Sequence, residues 1–347
     1  MMGRAGTSTG PALRLATCML AGSFLMAGSG PRSAWADATV WEHVRSDDRA
    51  RSDATLARAR RLHERYLATK RDDERRARVF LREELALLVR EKAADSPIVA
   101  LRHALARTQL ALHGEDHDAR RLEQAIRLLE PIVRDRLGTP VTLRAAALFE
   151  LAVCHAHLGR RREEIQVYDE ALALEPDALH RSLTLANAAD ARMGLGDLEA
   201  ATETFREALA LLPGSLLPAV GVTTLWGLAV TLDRSGDLPK ALEQIALARA
   251  FDPVDLQLRS PSWFYVPARE AHWYAALGSW SSARAAADEP ARQAALSRVA
   301  ESYRAYLAEA PGDDAWRPLA LVRLAQCERE QKSAEARSLP ARRGRSR

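Results

Sequence analysis

The chain has 347 residues, of which 47% are apolar and only 5% aromatic, so it can bury a core and is long enough for one elongated repeat array or two ordinary domains. Its formal charge of +4 sits at the ends: with the first 36 and last 16 residues set aside, 41 bases and 45 acids remain. That balance excludes the basic footprint of a nucleic-acid binder. The three cysteines (Cys18, Cys154, Cys327) stand too far apart for a disulfide framework or a metal-ligand set. The apolar residues are mostly Ala and Leu, both strong helix formers, and the expected fold class is all-α.

The chain opens with an expected export signal over residues 1–36. Arg4 and Arg14 form a positive start, Leu15 to Gly28 a short apolar run, and Ala34-Trp35-Ala36 a small-x-small cleavage site. The apolar run is shorter than the ~20 residues a bilayer span needs, so no transmembrane segment is expected in the mature chain. Residues 37–95 follow as a charged helical segment, and 96–140 as a decayed hairpin in which Ala125 and Leu129 keep a small-x3-large spacing.

Internal self-similarity is clearest over 145–255. Gly159, Gly196 and Gly236 are each followed 17 residues later by a proline, Pro176, Pro213 and Pro253. Alanines keep phase before each glycine (Ala152, Ala189, Ala229) and before each proline (Ala171, Ala208, Ala248), with Tyr168, Phe205 or Ile245 between. Physically this is a helical hairpin. Glycine ends the first helix in a left-handed conformation, proline stops the second, and alanine marks close helix approach.

Three such units in phase resemble the tetratricopeptide repeat, whose pattern is W-x2-L-G-x2-Y, A-x3-F and a closing P. The middle unit carries Leu185, Ala188, Ala189, Gly196, Ala201, Phe205, Ala208 and Pro213. Glu164 replaces the usual small residue in the first unit, and none has the aromatic that opens the family's first helix. The resemblance implies a right-handed α-solenoid of helix-turn-helix repeats. A diverged fourth repeat is expected over 256–312, with Gly278 as its turn and about 16 extra residues relative to the other units. A capping helix over 313–332 and a disordered basic tail over 333–347 complete the array.

The chemistry-bearing motifs fall short of catalysis. His63-Glu64 lacks the second histidine of a zinc-protease helix, Gly194-Leu195-Gly196 follows no strand, and no Gly-x-Ser-x-Gly elbow occurs. The segment His113 to Asp118 reads as a solvated loop, not a cation site. No catalytic, metal-binding or cofactor-binding residues are expected, and no cofactor.

In this family the first helices line a concave groove. Carried over residue by residue, that lining is Phe149, Val153, His157, Leu183, Asp190, Met193, Trp226, Val230, Asp233, Arg234, Tyr265 and His272. Such a surface suits a protein or peptide partner, with Trp226 as its anchor, and only Asn187 and Arg269 stand where a carboxylate clamp could form. The expected function is a non-catalytic binding scaffold of the cell envelope of a Gram-negative bacterium, periplasmic or secreted. Two alternatives stand beside it. One is an enzyme or enzyme subunit that uses the aromatic cluster Trp263, Phe264, Tyr265, Trp273, Tyr274 and Trp280 as a substrate pocket. The other is a cytosolic adaptor whose export signal is misread.

Overall fold

The computed structural model describes residues 40–338 apart from 71, 176, 213, 215, 216 and 260–264. The expected export signal, Pro176, Pro213, Trp263 and Phe264 therefore lie outside the described residues. Thirteen α-helices and no strand are found among the described residues, and the fold is all-α. The chain divides into two compact units, Met1–Cys154 and His155–Arg347.

The first unit pairs α1 (Val40–Lys70) with α2 (Glu74–Arg90) and α3 (Val99–Asp116) with α4 (Ala119–Arg134). The helix α5 (Val141–His157) contains the boundary between the units. Asp73 and Asp118 cap α2 and α4, each accepting a hydrogen bond from a backbone N–H of the first turn. The decayed hairpin at 96–140 is α3 with α4, and both Ala125 and Leu129 are fully buried. The segment expected as a loop at His113–Asp118 is shorter than that. Helix α3 runs to Asp116, and His117 turns the chain in a left-handed conformation. Glu115 there accepts hydrogen bonds from Tyr66 and Arg78 at 2.9 Å and pairs with Lys70 at 3.0 Å, which ties this turn to α1 and α2.

The second unit continues with α6 (Arg161–Leu172), α7 (Ala178–Leu195), α8 (Leu198–Leu211), α9 (Val222–Arg234), α10 (Leu238–Phe251), α11 (Glu270–Ala285), α12 (Glu289–Glu309) and α13 (Arg317–Ser338). Helix pairs α7/α8, α9/α10 and α11/α12 form hairpins, and α13 packs on α12. The three phased glycines do what their spacing predicts. Gly159, Gly196 and Gly236 take φ of 68°, 85° and 92°. At each, the following N–H (Arg160, Asp197, Asp237) bonds a carbonyl five residues back at 2.9–3.0 Å, closing the helix end. Asp197 and Asp237 then cap the next helix.

Gly278 departs from that pattern. It lies inside α11, not at a turn, and the hairpin turns at Ala286–Asp288 with Asp288 as the cap. The lengthened helix of the hairpin is α12, with 21 residues against 14 in α8 and 14 in α10, whereas α11 with 16 is no longer than α7 with 18. What Gly278 provides is a close approach. A Cβ there would lie 3.2 Å from the Trp226 ring and 3.1 Å from Arg249. Helix α13 falls where a capping helix is expected, over 313–332, and it extends through Ser338, into the stretch expected to be a disordered tail.

The core of the second unit runs continuously from Ala189 on α7 to Cys327 on α13. Ala201 belongs to it, and both Ala201 and Ala208 are fully buried, as the small-residue reading requires. Cys154 and Cys327 are both buried and free. Burial pushes the Cys327 thiol up to about 11 and the Cys154 thiol higher still, so both are poor nucleophiles at neutral pH.

Candidate functional site

The second unit contains a cleft of about 300 Å³, walled by the ends of its helices. Asp190, Met193 and Gly194 come from the end of α7, Arg161 from the start of α6, and Arg234 from the end of α9. The approach to α11 supplies Tyr265 and Arg269, and the turn before α13 supplies Asp314 and Trp316.

Ion pairs shape its walls. Arg161 donates to Glu164 at 2.9 Å and to the carbonyl oxygen of Val266. Arg234 donates to Glu270 at 2.5 Å, with its guanidinium 4.9 Å from the Trp273 ring and 4.6 Å from the Trp316 ring. Arg269 holds Asp314 at 2.6 Å, and Asp314 also accepts from Tyr306 and from the Trp316 backbone N–H at 2.9 Å. Burial pushes the Glu164 carboxyl up to about 7 against the opposing pull of Arg161, and it also raises Glu270 and Asp190. Asp190 feels the fields of both Arg161 and Arg234, yet desolvation outweighs them.

Four of the residues expected to line a groove meet here: Asp190, Met193, Arg234 and Tyr265. Phe149 and Val153 in the first unit, and Leu183 and His157 in the second, are partly buried. His272 stands 3.0 Å from the Glu309 carboxylate. The other three expectations are corrected. Trp226, Val230 and Asp233 are core residues, between 0% and 1% exposed, and Trp226 presents no surface to a partner. The reason is that α9 is apolar on nearly every side, and a helix hydrophobic all round is enclosed by its neighbours. Arg234 is likewise no rim residue, being 6% exposed beneath its two tryptophans. Sequence reasoning missed Arg161, Glu270, Asp314 and Trp316. The signal available was a charged or aromatic residue within a turn of each hairpin end.

The aromatic cluster divides. Trp273 and Trp280 are fully buried and pack the fourth hairpin, whereas Tyr265 and the 3% exposed Tyr274 line the cleft. The Trp273 indole donates to Asp233 at 3.0 Å, and Asp233 is held by Arg323 at 2.8 Å. Asp233 and Glu270 therefore each have their own guanidinium, an arrangement of structural ion pairs and not of two carboxylates sharing a proton. The two candidates for a carboxylate clamp are also engaged, Arg269 by Asp314 and Asn187 by the Tyr168 hydroxyl. Among the described residues no group of three metal-ligating side chains comes together, and no helix is long and apolar enough to cross a membrane.

The tetratricopeptide repeat family model matches residues 145–178 and 184–213, and the chain carries these repeats. No curated protein matches it. Two crystal structures of nearly identical TPR-like repeats from Podosopora anserina, of a protein assigned as a kinesin light chain, are similar. One is 18% identical, covers 69% of this chain and 96% of its own, and has a TM-score of 0.37. The other, a point-substituted form of the same repeats, is 19% identical, covers 68% and 95%, and has the same TM-score of 0.37.

Proposed function

We propose that this protein is a non-catalytic scaffold that docks a protein or peptide partner against the charged cleft of its second unit. The supporting observation is the cleft's position. It opens where the ends of successive first helices meet, among repeats of a kind that mediates protein–protein contact, and it combines aromatic and charged walls suited to a polypeptide. A photo-crosslinking residue in place of Tyr265 is expected to give one discrete protein adduct in intact cells. The same residue in place of the exposed Leu247 on α10 is expected to give none. Indistinguishable adduct patterns from the two positions would overturn the reading.

The place of action follows from the first 36 residues, whose order of charge, apolar run and small-residue site fits an export signal into the cell envelope. N-terminal sequencing of the mature protein is expected to begin at Asp37. A mature chain that retains Met1 would instead support a cytosolic adaptor.

A further inference from the structure

The cleft's charge balance points to what it binds. Counted with Glu164, its walls hold three guanidinium groups, on Arg161, Arg234 and Arg269, against the carboxylates of Glu164, Asp190, Glu270, Asp313 and Asp314. Three arginines would first suggest an anion site. However, each is already engaged by a carboxylate, through Glu164, Glu270 and Asp314 respectively. Nε of Arg234 has no partner, but it belongs to a side chain that is 1% exposed and covered by two tryptophan rings. An incoming anion would therefore compete with carboxylates already in place.

The acceptors are not used up in the same way. Asp190 makes no hydrogen bond among the described residues, yet it is only partly buried and lines the cleft. Asp313 is exposed at the edge of the same opening. A partly buried carboxylate without a donor pays for desolvation and receives little back. The surrounding rings add to the preference. Tyr265 and Tyr274 pack edge to face with centroids 5.2 Å apart, and Trp316 completes an aromatic wall. Such faces attract cations. The volume of about 300 Å³ is at the small end of ligand pockets, suited to one long side chain.

We infer that the cleft takes a basic side chain of a protein partner, arginine or lysine, with Asp190 as its counter-ion and the Tyr265, Tyr274 and Trp316 rings around its stem. The inference rests on the docking function proposed above and specifies the chemistry of the partner. Burial holds the Asp190 carboxyl above its ordinary range, so an arriving cation would favour its ionised form and displace any proton it carries.

Met193 lines the cleft and is the only methionine after residue 26, so a ¹³C-methyl label reports on this site alone in the folded body. The full chain would be titrated with the capped peptide acetyl-Gly-Gly-Arg-Gly-Gly-amide, with its lysine counterpart, and with the same peptide bearing neutral citrulline. A saturable shift of the Met193 signal is expected with arginine or lysine and none with citrulline. Asp190→Asn is expected to weaken binding about tenfold or more, since a charged hydrogen-bond partner is lost. Its melting temperature should be equal to or above that of the parent, because at Asp190 desolvation outweighs the attraction of Arg161 and Arg234. Absence of any shift with either basic peptide, equal binding of citrulline, or unchanged affinity in a folded Asp190→Asn protein would each overturn the inference. None of these would touch the scaffold reading if Tyr265 still crosslinks one discrete protein.

Discussion

Trp226→Ala is expected to cost the fold about 3–5 kcal/mol, the range for removing a large buried aromatic side chain. The ring is 1% exposed and lies where α9, α10 and α11 meet, against Gly278 and 5.7 Å from the Arg249 guanidinium. Arg249 is itself fixed, by two bonds to Asp255 and one to the Gly278 carbonyl at 2.8 Å, so the cavity cannot collapse by a simple side-chain swing. The indole N–H of Trp226 has no hydrogen-bond partner, so the residue contributes by volume and not by polarity. Trp226→Phe should accordingly cost much less, because it removes the unpaired N–H along with part of the volume. Urea denaturation followed by circular dichroism would measure both. A loss below about 1 kcal/mol for the alanine variant would mean that the ring stands on an open groove wall.

The contrast between Trp226 and the phased glycines shows what could be read from sequence. The glycines were legible because the constraint is local: a left-handed helix end admits glycine at little cost, and three equal spacings to proline repeat it. The caps Asp197 and Asp237 were equally local, each directly following its glycine. Gly278 misled because a glycine can also serve a close contact, and which role it plays depends on what packs against it. Only the partner helix, bringing Trp226 to within 3.2 Å of a would-be Cβ, settles that. The burial of α9 was legible in part. Trp226 through Leu232 contains no charged residue, and such a segment has no polar face to present to water. The family analogy of an open concave stripe outweighed that pattern. The cleft was the least legible feature. Arg161 and Val266 stand 105 residues apart in the chain, and nothing in either segment signals the other.

Arg323→Met is expected to destabilise the protein by about 3–5 kcal/mol at neutral pH, through the charge it strands and not through lost volume. Asp233 is fully buried, and it accepts from Arg323 Nε at 2.8 Å and from the Trp273 indole at 3.0 Å. Arg323 also donates to the Asp233 backbone carbonyl at 3.3 Å, so one side chain of α13 closes the end of α9. Without that guanidinium, a carboxylate remains in a buried site with one neutral donor, Trp273, and the weaker field of Arg234. Burial already holds the Asp233 carboxyl above its ordinary value, and Arg323 is the largest opposing influence. Its removal drives that carboxyl further up. The sign of the pH dependence follows. A carboxyl whose folded-state affinity for protons exceeds its unfolded one adds stability at low pH and loses it as pH rises. The penalty of Arg323→Met relative to the parent should therefore shrink on acidification and grow toward alkaline pH. The double variant Arg323→Met, Asp233→Leu is expected to recover most of the loss, since apolar side chains of similar size commonly replace a buried ion pair at little cost. Urea midpoints for the parent and both variants across the acid-to-neutral range would test this. A double variant no more stable than Arg323→Met alone would show that α13 is held by the shape of the arginine side chain and not by its charge.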